Sequence, residues 1–296
     1  MEEMNNRKGF IFDEYDEALN KALFEVPYNS CAQIVEYFAN EKVGYNKGAS
    51  CAWQTFFVAD EVRKLGVRNK PKYLRDGRHV AAVYFNERDV IVLDPYLLHT
   101  QAIRFSAPLD STDHIVTASV DAYPVRVAIN GEVKWSRLKG TLNMQKKEIR
   151  LDYIRFSPSK NHNYIYRSFT LAFETAMEKV PSPPEEVRNK LLHSEQNNLS
   201  VRAVCSDSKE LTEIILPLKM VAEGKRPCRE WCFIKSNLGE VIKYKDSEFD
   251  PHLGVIAKAI DSEPSDVLDY LVSTAFLYHS VMPVGQVLSA YSMEND

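Results

Sequence analysis

Long apolar runs are missing from this 296-residue chain. No stretch approaches the ~18 uninterrupted apolar residues of a membrane-spanning helix. The opening Met1-Glu2-Glu3-Met4-Asn5-Asn6-Arg7-Lys8 is polar where a secretion signal needs a basic start and an apolar run. A soluble, cytoplasmic protein with no membrane partner is therefore expected. Cysteine is sparse, with five residues at 31, 51, 205, 228 and 232 and no regular framework, which excludes a disulfide-built scaffold and agrees with a reducing compartment. An excess of charge of one sign is also missing. Lys plus Arg total 37 against 41 Asp plus Glu, for a formal net charge of -4, and the basic residues form no arm or stripe. Phosphate backbones need clustered positive charge, so no nucleic-acid partner is expected. Neither a Gly-x-Gly-x-x-Gly nor a Walker sequence is present to cradle a nucleotide phosphate.

What remains is ordinary for a globular protein, with 45% hydrophobic and 26% charged residues and enough length for about two domains around a sizeable core. Apolar positions at helical spacing through residues 10 to 40, broken by Pro27 and Asn29, predict two helices joined by a turn. Residues 50 to 66 carry helical punctuation at both ends, Ser50 as N-cap and Gly66 after Arg63 and Lys64 as the stop. From Tyr73 the period becomes two. The runs Val80 to Phe85 and Val90 to Leu93 flank the polar turn Asn86-Glu87-Arg88-Asp89 and predict a β-hairpin. Strands follow at 115 to 121, at 125 to 129, after Asn130-Gly131, and from Ile149 to Phe156. A helix is predicted over Tyr164 to Lys179, then a linker at Pro181-Ser182-Pro183-Pro184 and a short helix to about Leu192. Four strands (199 to 205, 210 to 216, 231 to 235, 240 to 244) and two helices (251 to 260, 263 to 280) complete the chain. Three parts are expected: a helical part over 1–70, an antiparallel β part over 71–158 and a C-terminal α/β part over 159–296, an α+β fold overall.

Cys51 falls in the first turn of its predicted helix, where unpaired backbone N–H groups and the positive end of the dipole favour a thiolate. The same N–H groups suit an oxyanion formed by attack on a carbonyl. A free cysteine is also a common small core residue, so the position needs a partner base. If the hairpin turn closes symmetrically about Glu87 and Arg88, Ala81 opposes Asp94, and His79, Ala81 and Asp94 share one face. An imidazole oriented by a carboxylate can take a proton from a thiol and later give it to a leaving group.

Three short motifs carry a family resemblance: Gly48-Ala49-Ser50-Cys51, Gly77-Arg78-His79-Val80 and Val92-Leu93-Asp94-Pro95. Together they resemble the Cys-His-Asp core of the transglutaminase-like superfamily. The order of helical, antiparallel β and mixed α/β parts is most similar to its arylamine N-acetyltransferases. The resemblance implies a papain-like arrangement with an antiparallel, barrel-like middle and the C-terminal part as a lid. It implies Cys51 as nucleophile, His79 as base and Asp94 as its orienter, in acyl transfer from a thioester of coenzyme A or an acyl carrier protein to a small-molecule amine. No tightly bound cofactor or metal is implied. A divergent acyltransferase forming an amide in specialised biosynthesis fits the residues around the cysteine. Two rival readings stay open, a cysteine hydrolase (peptidase, amidase or deamidase) using the same residues and a non-enzymatic binding protein on the same fold.

Other features carry less. Tyr45, Trp53 and Tyr96 are nearest the proposed site in sequence and are candidates for its pocket as well as for core packing. His99 and His114 read as surface histidines, and Cys228-Arg229-Glu230-Trp231-Cys232 as a strand start with two incidental thiols.

Overall fold

In the computed structural model, which describes residues 13–106, 115–177 and 184–293, Cys51 opens a helix that lies against a four-stranded sheet. The chain begins with α1 (Glu14–Glu25), the two-residue strand β1 (Tyr28–Asn29), α2 (Ser30–Ile34) and a π-helical turn. Asp13 and Asn29 cap these helices, each accepting two backbone N–H bonds. The long helix α3 (Cys51–Lys64) ends where Gly66 adopts a left-handed conformation, φ +100°.

Strands β2 (Lys72–Asp76), β3 (His79–Phe85), β4 (Asp89–Leu93) and β5 (Ile103–Ser106) pair in sequence order as one antiparallel sheet. In the hairpin Ala82 faces Leu93 and Val83 faces Val92, the register expected from a symmetric turn. β3 is covered on both faces. Val80, Ala82 and Tyr84 pack among residues of α1 and α3, whereas Ala81 and Val83 point into a second core.

That second core is closed by another antiparallel sheet of β6 (Ile115–Val127), β7 (Val133–Asn143), β8 (Glu148–Ser157) and β9 (His162–Ala172). The two strands expected within 115 to 129 are one strand, with a register shift between Ala122 and Val125. The helix expected over Tyr164 to Lys179 is not formed. Residues 162–172 pair with β8 along its whole length, so the run Tyr164-Ile165-Tyr166-Arg167-Ser168-Phe169-Thr170, rich in aromatic and β-branched residues, extends the middle sheet beyond residue 158. Residues 178 and 179 lie outside the described residues.

After α4 (Pro184–Leu191), strands β10 (Asn198–Val204), β11 (Leu211–Pro217), β12 (Phe233–Lys235) and β13 (Val241–Lys243), with the short helix α5 (Lys219–Ala222) between β11 and β12, form a third sheet that β1 joins beside β10. Helices α6 (Phe249–Ala259) and α7 (Pro264–Val281) pack on it through Leu253, Ile256, Leu271 and Ala275. The molecule is thus α+β, built from antiparallel sheets and helices. Among the described residues no helix is long and apolar enough to cross a membrane.

Candidate active site

The segment leading into Cys51 is pinned from both sides. Asn29 N–H donates to the Ala49 carbonyl and Ala49 N–H to the Pro27 carbonyl, while the Asn29 amide reaches the Lys47 carbonyl at 2.7 Å. Gly48 makes this approach possible. Its φ is +84°, and a Cβ there would stand 2.5 Å from the Pro27 oxygen. Ser50 then occupies the N-cap position in extended conformation, but its hydroxyl makes no capping bond and is buried without a partner among the described residues. The first intrahelical bond runs from Gln54 N–H to the Ser50 carbonyl, so the N–H groups of Cys51, Ala52 and Trp53 precede the ladder.

Helix α3 is registered against β3 by Thr55, whose buried hydroxyl donates to the Val80 carbonyl at 2.8 Å. One turn earlier, the half-buried Cys51 thiol lies 3.9 Å from the Arg78 carbonyl and within hydrogen-bonding reach of His79. Helix and hairpin thereby bring the cysteine and histidine together across 28 residues of sequence.

His79 is buried, and its Nε2 lies 2.6 Å from Oδ2 of the fully buried Asp94. A carboxylate oxygen only accepts, so Nε2 carries the proton and donates. Nδ1 has no partner by hydrogen-bond geometry and is the nitrogen left for the sulfur. Burial opposes charge on this imidazole, but the Asp94 carboxylate, with help from the cysteine, outweighs it and raises the His79 pKa to about 9. The ring is held flat between other groups, stacked on Phe169 at 3.8 Å and tilted against Tyr96 at 5.4 Å.

Asp94 is itself held by His99, a residue that the sequence placed on the surface. His99 is fully buried, and its Nε2 accepts the Asp94 backbone N–H at 2.9 Å. Its Nδ1 must therefore carry the proton, which it donates to the Gln101 carbonyl at 2.6 Å. Burial lowers the His99 pKa and so maintains the neutral form that this chain of bonds requires. His114 lies outside the described residues.

A cavity of about 670 Å³ is lined by Arg78 and by the two rings that pack on His79, Tyr96 and Phe169; Cys51, His79 and Asp94 are not themselves in its wall. Of the three aromatic residues singled out from the sequence, Tyr96 lines it, and Tyr45 and Trp53 do not. Tyr45 meets Phe57 edge-on at 5.0 Å, and Trp53 meets Phe56 at 5.9 Å. Trp53 follows Cys51 by two positions, about 200° around the helix, which carries its side chain away from the face of Cys51. The strand β9 supplies wall residues that the expected helix had hidden, Arg167 and Phe169 among them. Residues of the C-terminal part, Ser200, Glu213 and Lys235, line the cavity as well.

The remaining cysteines are differently placed. Cys31 and Cys232 are buried, and burial pushes both thiols up to about 12. Cys228 and Cys232 flank a 3-10 turn at Arg229–Trp231. Hydrogen bonds from Ser208 lower the pKa of Cys205. Among the described residues no group of three His, Cys, Asp or Glu side chains is arranged to hold a metal ion. Comparison of the chain with protein-family models, curated proteins and solved structures finds no match to any of them.

Proposed function

We propose that the protein is a thiol-dependent acyltransferase that forms an amide through an acyl-enzyme on Cys51. One observation carries this reading: a half-buried thiol at an uncapped helix start meets a histidine whose other nitrogen is engaged by a buried carboxylate. A cationic imidazole beside a thiol favours the thiolate as the attacking species. Its sulfur adds to the carbonyl carbon of an acyl thioester, and the new oxyanion sits at the N–H groups that begin α3. Collapse expels the donor thiolate, which takes the proton from His79. The amine acceptor then attacks the Cys51 thioester and loses its proton to the now neutral His79. Departure of the Cys51 thiolate leaves the amide, and the imidazolium is restored.

In this reading the helix-borne thiol, the sheet-borne base and a C-terminal part that contributes to the cavity lining correspond to a papain-like arrangement of the arylamine N-acetyltransferase kind. The chain is then a divergent member of the transglutaminase-like superfamily, with an acyl thioester as co-substrate. The test is intact mass after mixing with acetyl and longer acyl N-acetylcysteamine thioesters. The expected adduct has the mass of one acyl group, maps to Cys51, is absent in Cys51→Ala, and decays faster when an aromatic amine is added. Decay to free acid at a rate indifferent to amine would assign hydrolysis instead, and no adduct with any thioester would remove the acyl-transfer reading.

A further inference from the structure

The cavity lined by Tyr96 and Phe169, the rings that pack on His79, has a charge that the proposed reaction does not use. Its wall holds four cations, Arg78, Lys160, Arg167 and Lys235, against two carboxylates, Glu195 and Glu213. Arg78 is engaged by the Lys190 carbonyl and the Gln196 amide oxygen, and Glu195 faces His193. Arg167 is different. It is an exposed residue of the cavity wall, and its guanidinium makes no hydrogen bond or ion pair among the described residues. Its contacts are two rings, Tyr96 and Tyr166, each with its centroid 5.4 Å away. Tyr96 touches the His79 ring, and Phe169, two residues along the same strand, stacks on it. Behind this wall the buried Arg202 lies 4.6 Å from the Tyr96 ring and donates to the Tyr96 carbonyl. It adds positive potential without occupying the cavity.

A guanidinium fork left open between flat rings is built to receive a planar acceptor. We propose that the molecule docking beside Cys51 is a carboxylate-bearing substrate, its carboxylate seated on Arg167 and its flat or apolar body lying against Tyr96 and Phe169. Glu213 faces the same cavity and lies near enough to Arg167 to feel its charge, which favours a singly charged carboxylate over a phosphate dianion. Calling that molecule a substrate rests on the acyl-transfer reading, whereas the carboxylate site stands on the cavity itself.

The first test therefore avoids the thiol. Saturation-transfer NMR compares 2-naphthoate with neutral 2-naphthamide on Cys51→Ala protein and on the same protein carrying Arg167→Met or Glu213→Gln. The expected result is about tenfold tighter binding of the carboxylate, the scale of one charge-assisted hydrogen bond. That preference should be lost in Arg167→Met and enlarged in Glu213→Gln, so the second variant guards against misfolding of the first. Equal binding of the two probes to the parent, or a preference that survives in folded Arg167→Met, overturns the proposal even if Cys51 is readily acylated. A preference that depends on Arg167, with no acyl-enzyme formed, supports the carboxylate site and removes only the acyl-transfer reading. With transfer as the readout, glutaryl against valeryl thioester tests the donor as the bearer of the carboxylate. Likewise, 4-aminobenzoate against 4-aminobenzamide tests the acceptor. A charged partner favoured in either arm through Arg167 supports the proposal, and no preference in both overturns it.

Discussion

His79 Nε2 and Asp94 Oδ2 stand 2.6 Å apart in a setting that excludes water from both residues, so the carboxylate decides how long the imidazole keeps its proton. Without that neighbour, burial alone would push the histidine below its ordinary value. With it, the ring stays cationic to about pH 9 and leaves Nδ1 for the sulfur.

The linkage has a sign that can be measured. Because the folded His79 holds its proton up to about 9, against ~6.5 unfolded, its contribution to stability is complete below ~6.5 and is lost as pH rises to about 9. The loss is on the order of 3 kcal/mol at most. Wild-type Tm should fall across that window, and Asp94→Asn, which removes the opposing charge, should flatten the profile. A wild-type profile as flat as that of the variant would contradict the pairing.

His99 is predicted to act on the reaction only through Asp94. Replacing it by Phe leaves the Asp94 N–H and the Gln101 carbonyl without their partner, at a cost of ~1–3 kcal/mol each before any rearrangement. A purely structural role would lower Tm and leave the pH midpoint of Cys51 reactivity unchanged. The expected result is a lower Tm together with a midpoint displaced in the direction produced by Asp94→Asn.

Gly48→Ala tests whether the approach of the loop to Pro27 sets the position of the thiol. The added Cβ meets backbone at 2.5 Å and a positive φ, so a loss of ~1–3 kcal/mol is expected, with slower alkylation of Cys51. Gly66 has a positive φ as well but nothing within 4 Å of the added Cβ. Gly66→Ala should lose only ~1 kcal/mol and leave alkylation unchanged. Equal effects on Cys51 from both substitutions would show that the contact at Pro27 is not what positions it.

Features written in local sequence were legible. Ser50 and Gly66 bracket α3, and Asn86 to Asp89 closes the hairpin in the register that brings His79 to Asp94. The functional detail at Ser50 was not legible, because its conformation matches an N-cap and only its unbonded hydroxyl shows that it does not cap. Strand β9 was missed because its apolar residues fit either period. The turn signal Ser157-Pro158-Ser159-Lys160-Asn161, with Asn161 at φ +52°, was the local mark of a hairpin. That error hid Phe169 and Arg167. His99 could not be read at all, since its partners are a backbone N–H and a backbone carbonyl that only tertiary folding brings to its ring.

The proposed function stands on the activation of Cys51 by His79. It is tested by the rate of iodoacetamide labelling at Cys51, resolved by pH and assigned by peptide mass, in a Cys205→Ser background because hydrogen bonds from Ser208 lower the pKa of that thiol. Fast labelling of Cys51 at neutral pH is expected, slowed at least tenfold by His79→Ala and substantially by Asp94→Asn. Labelling of Cys51 no faster than that of Cys228 and indifferent to both substitutions would contradict it.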